Sequence, residues 1–323
     1  MIFNTSHENT NYCTFSEACM REMANKEGVA TRRVALALCD NALGKRIPTV
    51  SELEKGCGVS RGYVQKALAN LKEGGAIVLE THGQSGTLLV DIDYLALARS
   101  CGVSHIVGAM PLPYTARYEG LATSLFTLLN ADGFRAYITF QRGSEGRVQT
   151  LLDGSTDYCV MSRLAYTGYA QRGYKIQIAL DCGPHSYVGR HVLFSRDSER
   201  TDWTGARVGI DDSSVDQRTL TERYFSGIDV EYVPVQYTHI VDMLRAGILD
   251  AGIWNEDDVH MRYPELSARP VDIEDKDADN TRAVIVVRSD DALMRQVLRT
   301  LVDKEQVREI QQQVMDGEIT VRY

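Results

Sequence analysis

In the run SRGYVQKALANLKEGG at 60–75, Arg61 and Gln65 stand four residues apart, as do Gly62 and Lys66. On a helix each pair shares a face. A guanidinium forks onto guanine and a carboxamide onto adenine in the major groove of duplex DNA. An ammonium meets phosphate without reading sequence, and a glycine lets backbone approach closely. Ser60 and Tyr63 in the same run, Thr49 before it, and His82 and Gln84 after it complete the groups a duplex would meet.

The flanking residues say how these groups would be held. Thr49 with Glu52 three residues on is a capping box, so a short helix starts at Val50, and Gly56 and Gly58 stop it. Ser60 is placed to cap the next helix, which buries Val64, Ala67, Leu68 and Leu71 and ends at Gly74-Gly75. An apolar strand at 76–80, the tip HGQSG at 82–86 and a return strand at 87–90 form a hairpin, or wing. Upstream, 15–25 and 29–43 read as helices, the second carrying Val34, Leu38 and Ala42 on one face and ending at Gly44. The plainer alternative makes Arg61, Gln65 and Lys66 a solvated face and packs Tyr63 on the wing. The order of cap, glycine turn, second helix, stop and hairpin favours a winged helix-turn-helix that reads double-stranded DNA. Residues 20–75 hold ten Lys/Arg against six Asp/Glu, net +4, on a chain of net charge −9, which fits a locally basic docking module.

These residues resemble the DNA-binding domain of the GntR class of bacterial repressors. The matching elements are Pro48 to Leu53, GVSR at 58–61, ALANL at 67–71 and the Gly86-Thr87 close. The chain departs from that pattern at the wing, where Glu80, Thr81 and His82 stand in place of an arginine and the tip is longer. The chain as a whole resembles the YhfZ family, regulator-like bacterial chains with a solute-binding-type C-terminal domain.

From His105 the pattern changes to alternating strands and helices: strand 106–110, helix 114–130, strand 136–140, helix 147–152 and strand 158–162, the signature of a parallel sheet covered by helices. Val148, Leu151, Gly154, Asp157 and Val160 recur as Val241, Leu244, Gly247, Asp250 and Ile253, each 93 positions later. A second βαβ core is expected from strands at 207–211 and 230–235, and the segment 282–305 should return to the first lobe. Two such lobes around a cleft resemble solute-binding proteins with two crossing strands, also used as effector domains by LysR-type regulators.

Ligands in such sheets sit beyond the carboxyl ends of the strands, near helix starts. That rule selects Tyr114, Thr115 and Arg117 after the first strand, Ser144 after the second, and Ser162 and Arg163 after the third. In the second lobe it selects Ser213 and Ser214, Thr238, and Asn255 at a strand end. Hydroxyls and arginines there suit a small anion. Each also has a structural use: Ser144 and Thr238 as helix caps, Arg117 and Arg163 in ion pairs.

The composition excludes other classes. No apolar run spans a membrane, and the first fifteen residues lack the basic start and apolar stretch of a secretory signal. The seven cysteines never form C-x-x-C and read as reduced cytosolic thiols. Phosphate-loop, dinucleotide, nucleophile-elbow and zinc-protease motifs are missing, and Cys182 near His185 is too isolated for a catalytic set. No cofactor, no metal and no enzymatic activity are expected. The fold class is α/β: a winged helix-turn-helix at 12–92, a linker at 93–104, and a two-lobed effector domain at 105–323. Lobe one spans about 105–195 and 287–323, lobe two about 196–286. The expected function is a cytoplasmic, homodimeric, ligand-responsive transcriptional regulator. The alternative is an enzyme or small-molecule-binding protein on the same solute-binding fold.

Overall fold

The computed structural model describes residues 26–41, 43–83, 86–257, 263–271 and 279–323. The helix expected at 15–25 lies outside them. The chain divides into two compact units, Met1–Val103 and Ser104–Tyr323.

In the first unit, α1 (Lys26–Cys39), α2 (Val50–Cys57) and α3 (Arg61–Glu73) pack together. Their contact is made by Ala30, Val34, Leu38, Leu53, Val64, Ala67 and Leu71, all almost fully buried. Each leucine so buried contributes about 1.5–3 kcal/mol. Leu68 is only half-buried. α1 starts three residues before the expected helix and stops at Cys39, four before it, leaving Leu43 exposed.

The expected capping box is present: the Glu52 amide donates to Thr49 Oγ1 at 3.2 Å, and the Thr49 amide to Glu52 Oε2 at 2.6 Å. Gly58 ends α2 in the left-handed region, φ 60°, and Arg33 caps the Cys57 carbonyl at 2.8 Å. Ser60 occupies the N-cap of α3, but its side chain makes no capping bond. The Arg61 amide donates instead to Glu54 Oε1 at 3.1 Å. A carboxylate from the preceding helix thus satisfies the first amide of α3, not the second or third that a Ser60 hydroxyl would reach.

β1 (Ile77–Thr81) and β2 (Thr87–Ile92) form the antiparallel wing. An extended segment lies beside β2: Gly44 N donates to Leu89 O, Leu89 N to Lys45 O, and Ile47 N to Thr87 O. The stretch after the wing, which reads from sequence as a short linker or a helix, contains a helix. Asp93 caps α4 (Tyr94–Ser100), which packs on α3 within the first unit.

The second unit has two five-stranded sheets. Its elements, in chain order, are β3 (His105–Met110), α5 (Ala116–Leu129), β4 (Arg135–Phe140), α6 (Ser144–Leu152), β5 (Tyr158–Ser162), α7 (Arg163–Gln171), β6 (Ile176–Asp181), β7 (His191–Ser195), β8 (Arg207–Ile210), α8 (Val215–Tyr224), β9 (Glu231–Pro234), α9 (Ile240–Arg245), β10 (Ala251–Asn255), β11 (Ser267–Pro270), β12 (Ala283–Arg288), α10 (Ala292–Leu301) and α11 (Lys304–Met315). The first sheet has the order β4-β3-β5-β12-β6 and the second β11-β7-β10-β8-β9. In each, one strand arrives from the other lobe and pairs antiparallel: β12 with β5, and β7 with β10. The crossings therefore fall between β6 and β7 and between β11 and β12, rather than at 195 and 287. As expected, the C-terminal segment returns to the first lobe, where α10 packs on β6 and α11 on α5.

Candidate functional site

Two surfaces carry chemistry, one in each unit. On α3, Arg61, Gly62, Tyr63, Gln65 and Lys66 all face outward. Arg61 and Gln65 make no side-chain hydrogen bond among the described residues, and nothing lies within 4 Å of where a Gly62 side chain would start. Lys66 departs from expectation. Its ammonium donates to Glu27 of α1 at 2.7 Å, and the same carboxylate accepts from Asn70 at 3.1 Å. The Lys66 hydrogen bond holds the Glu27 carboxyl below its ordinary range. Thr49 spends its hydroxyl in the capping box. His82 Nε2 lies 3.3 Å from Glu80 Oε2. Gln84 lies outside the described residues.

Between the lobes is a cavity of about 80 Å³. Of the residues expected there, Tyr114, Ser144, Ser213, Ser214 and Thr238 line it. The other five are used elsewhere. Thr115 caps α5. Ser162 caps α7 and donates to Asp216 Oδ1 at 2.7 Å. Asn255 is buried at the end of β10, where its side chain accepts from the Asp257 amide. Arg117 is paired with Asp257 at 2.9 Å, and Arg163 with Asp181 and Asp279. The two predicted caps also differ. Gly143, not Ser144, is the N-cap of α6, and Thr238 sits in a short 3-10 turn without a capping bond. Gly143 has φ 70°, and a Cβ there would stand 3.0 Å from Ser213 O of the other lobe, so only glycine fits.

Sequence reasoning missed the cavity's most consequential member. Arg147, in the first turn of α6, is only 3% exposed. Its guanidinium donates to Val160 O and Gln141 O, both at 2.9 Å, and reaches Tyr187 Oη at 3.4 Å. Among the described residues it has no carboxylate partner. Its direct hydrogen-bond partners are thus neutral, and a buried charge so placed is costly unless another charge offsets it. Its position inside a helix pattern made it look like an ordinary helical residue. Arg142 also borders the cavity and bonds across it to Gln236 and to Thr238, the latter at 2.9 Å.

Two helix starts face the cavity, at Gly143–Ser144 of α6 and Ser214–Val215 of α8. Asp211 and Asp216 line it too. Asp211 is occupied by the Ser213 amide and hydroxyl and by the Tyr237 amide. Aromatic rings close one side: Tyr237 stacks on Trp254 at 4.2 Å, Tyr114 meets Tyr118 edge-on, and Tyr118 meets Tyr187. Burial pushes the Tyr118 and Tyr187 hydroxyls upward, so both remain protonated donors. Burial drives His191 down to about 4, leaving a neutral imidazole beside the cavity. A guanidinium, hydroxyls and helix-start amides are groups with the chemistry to bind an anion. The cavity admits only a few heavy atoms, against roughly 300–1,000 Å³ for drug-sized sites.

Comparison with known proteins bears on each unit. A helix-turn-helix domain model matches residues 42–89. The model of the YhfZ C-terminal domain matches residues 93–323. The chain belongs to the YhfZ family. It is 39% identical to the YhfZ protein of Escherichia coli (strain K12) over 302 residues, 92% of this chain and 98% of that one. The crystal structure of YhfZ from Shigella flexneri is also 39% identical, with a TM-score of 0.61 over 72% of this chain and 98% of that one. The substrate-binding protein of a methionine transporter from Streptococcus pneumoniae shares the fold alone, at 12% identity and a TM-score of 0.50 over 66% of this chain and 94% of that one.

The family match joins a helix-turn-helix to a solute-binding-protein-like α/β domain, as the sequence indicated. Among the described residues no helix is long and apolar enough to cross a membrane. Cys182 is 2% exposed, and burial pushes its thiol up to about 12, which suits a core residue.

Proposed function

We infer that this chain is a cytoplasmic transcriptional regulator, with a GntR-like winged helix-turn-helix that reads duplex DNA and an interlobe cleft that senses a small anionic metabolite. The observation that carries the ligand reading is Arg147, a buried guanidinium with no carboxylate partner among the described residues, at a cavity faced by two helix starts. The DNA reading rests on the free Arg61–Gln65 face of α3 within the helix-turn-helix match. The active form is a homodimer on a pseudo-palindrome, because one winged helix offers few base contacts.

Selection of genomic fragments by the purified protein should enrich one motif. Arg61→Ala should then lose about 1–3 kcal/mol of preference at one base position. Enrichment of nothing would end the DNA reading. Thermal-shift screening with small carboxylates and phosphates should find a ligand that stabilises the second unit and that Arg147→Gln abolishes. A hit bound equally by Arg147→Gln would place the ligand elsewhere. Ligand and operator should alter each other's affinity by one shared factor, typically 1–3 kcal/mol. Operator affinity unchanged at saturating ligand would leave two independent modules.

A further inference from the structure

We propose that Arg46 is a phosphate-backbone contact of the first unit and supplies the cation that the wing itself lacks. The proposal rests on the DNA-binding reading above and adds a site to it. Residues 77–92, which make up both wing strands and the tip, contain no lysine or arginine. Of the groups expected to meet phosphate or the minor groove, Lys66 is bound directly to Glu27, His82 lies against Glu80, and Gln84 carries no charge. A helix-turn-helix needs cations beside the recognition helix, because most of its contacts go to phosphate.

Tertiary structure places one there from outside the hairpin. Segment 44–47 runs beside β2, with Arg46 bridged to Leu88. Ile47 turns inward and is 5% exposed, whereas Arg46 faces outward. The Arg46 stem crosses Gly86 so closely that a Cβ at Gly86 would stand 2.9 Å from Nε and 3.0 Å from Cδ. Gly86 also has φ +85°. The glycine that closes the wing thus serves twice, for its backbone and as the floor under an arginine.

The Arg46 side chain is half exposed, at 52%. Among the described residues its one carboxylate within 4 Å, Glu52, is 3.9 Å away and already accepts the Thr49 amide at 2.6 Å. Arg46 therefore stands between the wing and the start of α2, the first helix of the helix-turn-helix. In this class of domain that helix crosses the DNA backbone. An exposed pair at this separation adds almost nothing to folding, so the residue is available to phosphate.

The test is fluorescence anisotropy of the full chain on a random-sequence duplex and on a selected duplex, at two salt concentrations. Neutralising one phosphate contact lowers the salt exponent by about 0.9, so the affinity lost between about 50 and 200 mM salt should be about 3.5-fold smaller per bound subunit in Arg46→Gln. Both duplexes should weaken alike, and Arg46→Lys should restore the salt dependence. An unchanged melting temperature excludes misfolding as the cause. Salt dependence identical to the parent protein, with duplex binding intact, would overturn the Arg46 assignment and leave the DNA reading standing. Failure of the parent protein to bind either duplex would overturn both.

Discussion

The two lobes of the second unit are built on one frame and differ in charge. In lobe one, Asp157 Oδ2 accepts the Val107 amide at 2.8 Å, and the Asp157 amide returns a bond to Val107 O at 2.8 Å. In lobe two, Asp250 Oδ2 accepts the Arg207 amide at 2.9 Å, and its own amide returns to Arg207 O at 2.8 Å. Gly154 and Gly247, three residues before each aspartate, are both left-handed, at φ 80° and 72°. At the cleft the likeness ends. Lobe one presents Arg142 and Arg147, and lobe two presents Asp211 and Asp216. A repeat conserves what turns the chain and pins a strand, while the loops beyond the strands are free to carry opposite chemistry.

The strongest way to test the shared frame is to remove its equivalent core residues. Leu151 and Leu244 are both fully buried. Replacing either by alanine should cost about 2–5 kcal/mol in urea unfolding. Both tryptophans, Trp203 and Trp254, lie in lobe two, so their fluorescence should report Leu244→Ala directly. If Leu151→Ala shifts that signal as far as Leu244→Ala does, the lobes unfold together. If it leaves the signal in place, they are separate cooperative units.

A pH series probes the crossing strand, which belongs to neither half of the repeat. His191 on β7 is buried and its folded pKa lies near 4, below the ordinary 6.5. Above pH 6.5 both folded and unfolded states are neutral and nothing is lost. As pH falls from 6.5 to 4 the unfolded chain takes up a proton that the folded chain refuses, so stability falls by up to about 3 kcal/mol. His191→Gln should flatten the curve in that window. An unchanged slope would show that His191 is protonated without cost.

The smallest effect should separate the two aspartates. Asp250 also forms a forked pair with Arg207, which holds its carboxyl down at about 2, while the position equivalent to Arg207 in lobe one is the uncharged Val107. Asp250→Asn should therefore destabilise more than Asp157→Asn, by no more than about 1 kcal/mol. The difference should be full near pH 6 and shrink as pH falls through 4 toward 2, where Asp250 protonates. Equal losses at every pH would mean that the ion pair is inert and the amide bonds alone matter.

The sequence by itself determined the elements and their class. Capping residues, left-handed glycines and apolar spacing act over three to eight residues, so α2, α3, the wing and the 93-residue repeat were legible before any coordinates. So was the exposed Arg61–Gln65 face, because a helix's period alone places it. Tertiary structure decided which polar groups remain available. Glu54 took the Arg61 amide, Glu27 took Lys66, Asp257 took Arg117, and Arg46 came to rest over Gly86. In each case the partner lies seven or more positions away, up to 140 in the case of Arg117. The same holds for Arg147, whose place beside the cleft depends on how two sheets meet. Local pattern fixes backbone geometry because those interactions are short in sequence, but a charged side chain is satisfied by whatever the fold brings near it.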